Sequence, residues 1–150
     1  MLFSVVIENP CTAKFDTAGW DEKPIVEIAG SKLKITRVRS ERVFGGEDNR
    51  LQGKGVAEYT MVYHESASAD PHDATASYAG LMHFTGTLDG GEAGEVAFIT
   101  TGVYDKGVDA TWTVDPKTAK GGLKGLKGKG GYYTKGLSRE VGVWLELDED

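Results

Sequence analysis

The sequence has one cysteine, Cys11, in 150 residues. No internal disulfide can form, so the fold has to be held by burial, and a reducing compartment is the expected setting. No helix start is predicted beside Cys11 to activate it, so it reads as a structural thiol and not a nucleophile. Serine and cysteine motifs for nucleophilic catalysis are missing, and so is a dinucleotide fingerprint, which removes those enzyme classes. Basic residues are in deficit: Lys and Arg number 17 against 23 Asp and Glu, a net charge of −6, and a duplex nucleic acid is not the expected partner. No apolar run approaches the roughly twenty residues of a membrane-crossing helix, so no membrane partner is expected. The opening Met-Leu-Phe-Ser-Val-Val-Ile-Glu-Asn-Pro has no positive flank and too short an apolar run for a signal peptide, which makes the cytoplasm the expected location. His64, Asp70, His72 and Asp73 have metal-ligand chemistry but no spacing on one fixed element, and no metal is expected.

Helical periodicity with caps is missing as well. Glycine, in contrast, reaches 21 residues, about twice ordinary usage, while hydrophobic content is ordinary. Such a chain is turn-rich and folded, and its length suits a single domain spanning 1–150. Two stretches organise it, Val56–His64 and Tyr78–Leu88, each with β-branched and aromatic residues at period two between glycines. They predict a long hairpin. Ala57, Tyr59, Met61 and Tyr63 share one face of the first strand, and Gly80, Met82, Phe84, Gly86 and Leu88 share one face of the second.

Further strands are predicted at Leu2–Glu8, Thr12–Thr17, Ile25–Ile28 and Leu33–Phe44, with Gly19 to Pro24 as a turn whose Trp20 plugs one end of the fold. Glu65 to Ser77 reads as a long polar loop. Glu95–Tyr104 alternates Val96, Phe98, Thr100, Gly102 and Tyr104 on one face, and Ala110–Val114 follows, stopped by Asp115-Pro116. Gly121 to Tyr133 tempts comparison with a phosphate loop, but it lacks Gly-x-x-x-x-Gly-Lys-Ser/Thr and opens no helix, so a bent strand with solvated lysines is predicted. Six lysines and one arginine fall between Lys117 and Arg139 with no acid among them. Val141–Leu147 is an amphipathic strand, and Leu2–Glu8 is its expected pairing partner. About nine strand candidates at regular spacing favour an all-β, closed antiparallel barrel.

Trp20-Asp21-Glu22-Lys23-Pro24, Gly53-Lys54-Gly55-Val56-Ala57-Glu58-Tyr59, Tyr78-Ala79-Gly80-Leu81, Phe84-Thr85-Gly86-Thr87-Leu88, Trp112-Thr113-Val114 and Gly122 to Gly130 together resemble a family of small bacterial and fungal proteins of unknown function, whose fold is like the allene oxide cyclase barrel. The match spans about 12–133. The resemblance implies a calycin-like, eight-stranded barrel with a central cavity, to which the terminal strands and the Glu65–Ser77 loop are additions. Related barrels steer reactive hydrophobic molecules into one product without a cofactor. The family pattern carries a carboxylate at the position of Met82, an arginine at His83, an amide at Ile99 and a histidine at Thr100, so this cavity is expected to be more apolar.

An eight-stranded barrel can either fill with side chains or hold one small ligand. On the first reading Tyr59, Met61, Tyr63, Met82, Phe84, Phe98, Tyr104 and Trp112 are plain core; on the second, Gly80, Gly86 and Gly102 leave space among them. In the ligand case Tyr59, Tyr63 and Tyr104 are the expected catalytic hydroxyls, polarising a carbonyl or carboxylate, while Met61, Met82, Phe84, Phe98, Thr100 and Trp112 bind the substrate's hydrocarbon. Glu58 faces outward by alternation, unless a bulge turns it inward as a general base. The expectation is a cofactor-free cyclase or isomerase, a pericyclase included, acting on a hydrophobic intermediate of natural-product biosynthesis. The alternatives are a non-catalytic carrier with the same pocket, or an interaction module, filled inside, that forms a homodimer or higher oligomer through its outer face.

Overall fold

The computed structural model describes residues 11–65, 74–135 and 140–148. Alternation of apolar and polar residues governs all of it. Eight strands form, β1 (Cys11–Glu27), β2 (Lys34–Phe44), β3 (Leu51–Tyr63), β4 (Thr75–Leu88), β5 (Gly94–Asp105), β6 (Val108–Gly121), β7 (Gly128–Thr134) and β8 (Glu140–Leu147). Each pairs antiparallel with the next, and β8 returns to β1, so the sheet closes into a ring. Closure removes the exposed strand edges that would otherwise invite pairing with other chains. Among the described residues there is no helix, and so none long and apolar enough to cross a membrane.

The predicted hairpin is the pair β3–β4, in unbroken register from Leu51 opposite Leu88 to Tyr63 opposite Ala76. One glycine pair brings its two backbones close together. Gly53 and Gly86 face each other, and a Cβ on either would fall about 2 Å from a carbonyl oxygen of the opposite strand (2.1 Å from that of Thr85, 1.9 Å from that of Gln52). Only glycine lets the two backbones approach so closely at positive φ.

Several boundaries differ from the sequence reading, each for a local reason. Gly19 to Pro24 is no turn: β1 continues through it with bulges at Thr17/Gly19 and Pro24/Val26. Beyond Asp16 this strand has no β8 partner among the described residues, so Pro24 falls where a missing ladder donor costs little. Pro116 does not end β6 either. A register shift at Glu95/Ala97 accommodates it, and the Thr118 hydroxyl takes over the ladder, accepting from the Ala97 N–H (2.8 Å) and donating to the Asp115 carbonyl (2.7 Å). Gly121 to Tyr133 is two elements, successive turns through Lys127 and then β7. Thr75–Ser77 belongs to β4, not to the preceding loop. Strand β8 is no addition, since without it β7 and β1 would not be joined. The Leu2–Glu8 strand lies outside the described residues, as do Asp70, His72 and Asp73.

Inward-facing side chains divide the ring's interior along its axis. The lower half, toward the β2–β3, β4–β5 and β6–β7 connections, is solid: Phe44, Leu51, Met82, Phe84, Val96, Phe98, Trp112, Val114 and Val143 are all buried. Leu123, from the β6–β7 turns, is buried against this end and closes it. The upper half is hollow.

Candidate functional site

A cavity of about 540 Å³ opens between the β1–β2, β3–β4 and β5–β6 ends of the ring. That size falls within the range of sites that take a small molecule. Phe15 and Arg42 lie on its floor; Ser40, Tyr59, Met61, Tyr78, Tyr132 and Val141 line its wall; Trp20, Tyr63, Tyr104, Val108 and Thr134 stand nearer the mouth. Trp20 does not plug the end as predicted. It is 54% exposed, edge-on to Tyr59 with centroids 6.2 Å apart, and forms part of the rim.

Of the residues expected in the site, Tyr59, Tyr63, Tyr104 and Met61 do line the cavity. Met82, Phe84, Phe98, Thr100 and Trp112 do not. They share the inward phase but sit lower, in the solid half, at 2% exposure or less, so their role as hydrocarbon-binding residues is corrected to core packing. Glu58 is corrected too. No bulge interrupts either of its neighbouring ladders, its carboxylate is on the outer face, and it lies 3.8 Å from the exposed Arg39. A solvated pair of this kind contributes little, and a base on that face cannot reach the interior.

Three of the cavity's phenols are held protonated. Burial raises the pKa of Tyr59, with Tyr132 and Glu22 adding to the rise against the opposing pull of Arg42. Burial raises that of Tyr63, whose hydroxyl also donates to Glu22 Oε2 at 2.5 Å; Thr36 donates to the same oxygen at 2.7 Å. Burial again dominates at Tyr78, reinforced by the neighbouring Tyr132 hydroxyl 3.2 Å away. Such phenols stay neutral and do not become phenolates, and the proton of Tyr63 is committed to Glu22.

The glycines expected to leave room do the reverse. A Cβ on Gly102 would lie 2.3 Å from Cζ of Tyr78, and one on Gly80 would lie 2.5 Å from Cβ of Tyr59. At Gly102 the Tyr78 ring, tilted against Tyr59 with centroids 4.4 Å apart, already occupies the space, and at Gly80 the facing backbone does, with the Glu58 carbonyl oxygen 2.2 Å from such a Cβ. Gly102→Ala is therefore expected to push the Tyr78 phenol into the cavity, break its contact with Tyr132 and lower stability by about 1–3 kcal/mol, as overpacking does. In a Tyr78→Ala background the same change is expected to cost under about 0.5 kcal/mol, measured by urea unfolding, and an equal cost in both backgrounds would show that the ring is not what Gly102 accommodates.

Arg42 was not anticipated as a site residue. It is 4% exposed, its guanidinium carbon 4.6 Å from the Phe15 ring centroid and 5.6 Å from that of Tyr132. Nη1 contacts the Met82 sulfur at 3.5 Å, Nη2 donates to the Tyr132 hydroxyl at 3.4 Å, and the buried Nε has no partner. The signal for it was in β2, where Thr36, Val38, Ser40, Arg42 and Phe44 form one inward series while Val43 is left outside.

His64, at the end of the predicted Val56–His64 strand, is engaged locally, its ring nitrogens 2.7 Å from the Thr75 hydroxyl and 2.9 Å from that of Ser77. Among the described residues no three His, Cys, Asp or Glu side chains gather as a metal set.

Comparison with known proteins gives a family and a fold. The model of a family described as proteins of unknown function, DUF3224, matches residues 11–147, a wider span than the 12–133 expected and one that takes in β8. A DUF3224 protein of unknown function from Shewanella oneidensis MR-1, with a crystal structure at 1.84 Å, is similar in fold, with a TM-score of 0.63 at 16% identity over 91% of this chain and 97% of that one. No curated protein matches the chain.

Proposed function

This chain belongs to the DUF3224 family, and we propose that its ring binds one small, largely apolar molecule in the hollow upper half. The observation that carries the reading is the division of the interior itself: a sequence able to pack aromatics solidly below leaves about 540 Å³ open above, walled mainly by rings and aliphatic groups. Neutral phenols at Tyr59, Tyr63 and Tyr78 supply the few polar contacts that would orient a guest. The reading groups the ring with allene oxide cyclase-like barrels in the cytoplasm, whether the protein acts alone or as an oligomer.

The test is titration of the full chain with decan-1-ol and with 2-naphthol, followed by two-dimensional NMR using the Trp20 indole as reporter. Saturable one-site binding is expected, with Kd on the order of 10–100 µM for ligands of this size. Met61→Trp, which fills the wall, is expected to abolish it. Absence of saturable binding to either compound by the folded wild-type protein overturns the reading.

A second reading, cofactor-free cyclisation or isomerisation of the guest, is favoured by one feature, the Tyr63 hydroxyl on the cavity wall backed by the Glu22 carboxylate. With its own proton held by Glu22, the Tyr63 oxygen faces the cavity as an acceptor, and it can take a proton from the guest as it passes its own to the carboxylate. On this reading Tyr63→Phe lowers turnover or product selectivity with little loss of folding. An unchanged product ratio from a reactive polyene incubated with wild type and variant counts against it.

A further inference from the structure

We infer that the cavity selects molecules carrying a carboxylate on an apolar body, with the Arg42 guanidinium as the carboxylate's partner. The inference rests on the small-molecule reading above and narrows it to a ligand class. Arginine stays charged under all ordinary conditions, and a buried cation is normally matched by an acid. Arg42 has no such match: among the described residues no Asp or Glu forms an ion pair with it, and its polar contacts are a thioether sulfur at 3.5 Å and a phenol at 3.4 Å. Both are long and neutral. Nε, buried, donates to nothing.

The surroundings hold the group ready. Phe15 and Tyr132 present ring faces to the guanidinium, which stabilise a cation without consuming its N–H donors and fix the plane of the fork. A planar fork so fixed suits the two oxygens of a carboxylate. Beside it, Tyr132 oxygen can accept from both Nη2 and the Tyr78 hydroxyl, which leaves the Tyr132 hydroxyl hydrogen for the incoming anion. One cation among phenols and apolar walls matches a single negative charge; a phosphate dianion would leave charge unmatched in the same apolar space. The rest of the wall, Phe15, Tyr59, Met61 and Val141, meets a hydrocarbon body.

The experiment is calorimetric titration of the full chain near pH 7.5 with two matched pairs, decanoate against decan-1-ol and 2-naphthoate against 2-naphthol, the pairs separating a linear from an aromatic body. In wild type at least one acid is expected to bind about 30-fold more tightly than its alcohol, the scale of hydrogen bonds to a charged group. In Arg42→Met, which keeps volume and loses charge, the preference is expected to fall to within about threefold, and Arg42→Lys restores part of it. Equal binding of acids and alcohols by wild type overturns the inference while leaving the small-molecule site intact, and so does a preference that survives in Arg42→Met. Should neither member of either pair bind, the site itself falls and the inference with it. The wild-type comparison stands alone if Arg42→Met fails to fold.

Discussion

Trp112→Ala is expected to cost about 3–5 kcal/mol of folding stability, the range for truncating a buried aromatic in a packed core. Urea unfolding would show it as a midpoint roughly 2 M lower. The reasoning starts from the position of Trp112 on β6, in phase with Ala110 and Val114 and fully buried. Its ring lies 5.5 Å from Phe98, 5.9 Å from Tyr132 and 6.2 Å from both Phe15 and Phe44, so it ties four other strands to β6 beneath the cavity floor. Its indole N–H has no acceptor, which makes the nitrogen expendable. Trp112→Phe is accordingly expected to cost less than about 2 kcal/mol and to leave decan-1-ol binding unchanged, because the residue is not part of the cavity wall. A loss under 1 kcal/mol in the alanine variant would mean that the lower half is loosely filled and open to a ligand after all.

The position of Trp112 marks the limit of what the sequence discloses. Alternation tells which side chains face inward, and on β3, β4 and β5 it does so correctly for Tyr59, Met61, Met82, Phe84, Phe98 and Thr100. Period two carries no information about height along the ring axis. Height follows from strand stagger: β1 meets β8 only over Cys11–Asp16 but meets β2 as far as Glu27, so residues of one phase are dealt out between the solid half and the hollow one. That is why Tyr59 and Tyr63 were legible as cavity residues while Trp112 and Phe98 were misplaced. Glycine misled differently. An absent side chain reads as space, yet at Gly102 the space is taken by the Tyr78 ring and at Gly80 by the backbone of Glu58 and Tyr59 on the neighbouring strand, neither of which the sequence registers. Arg42 is not legible because an arginine in a strand ordinarily faces solvent; the ladder phase of β2 puts it inside and leaves Val43 45% exposed.

Raising the pH from 9 to 11 is expected to remove roughly 3 kcal/mol of stability through Tyr59 and Tyr78 alone, at about 1.4 kcal/mol for each group per pH unit. The sign follows from proton counting. An unfolded chain releases phenolic protons near pH 10, whereas burial holds the folded-state pKa of both residues above that value. Below about pH 10 both states keep these protons and the contribution is fully present; as pH rises beyond it only the unfolded state lets them go, and the balance moves toward unfolding. Tyr63, more open at the mouth, shifts in the same direction and adds less. The measurement is the urea midpoint at pH 9 and pH 11, expected to fall by about 1 M or more. Tyr78→Phe should reduce the pH-dependent part by nearly half, because its ring remains and only the titrating hydroxyl goes. If the midpoint does not move between the two pH values, these phenols ionise as readily folded as unfolded, and the upper cavity is then too wet for its hydroxyls to serve as fixed neutral groups.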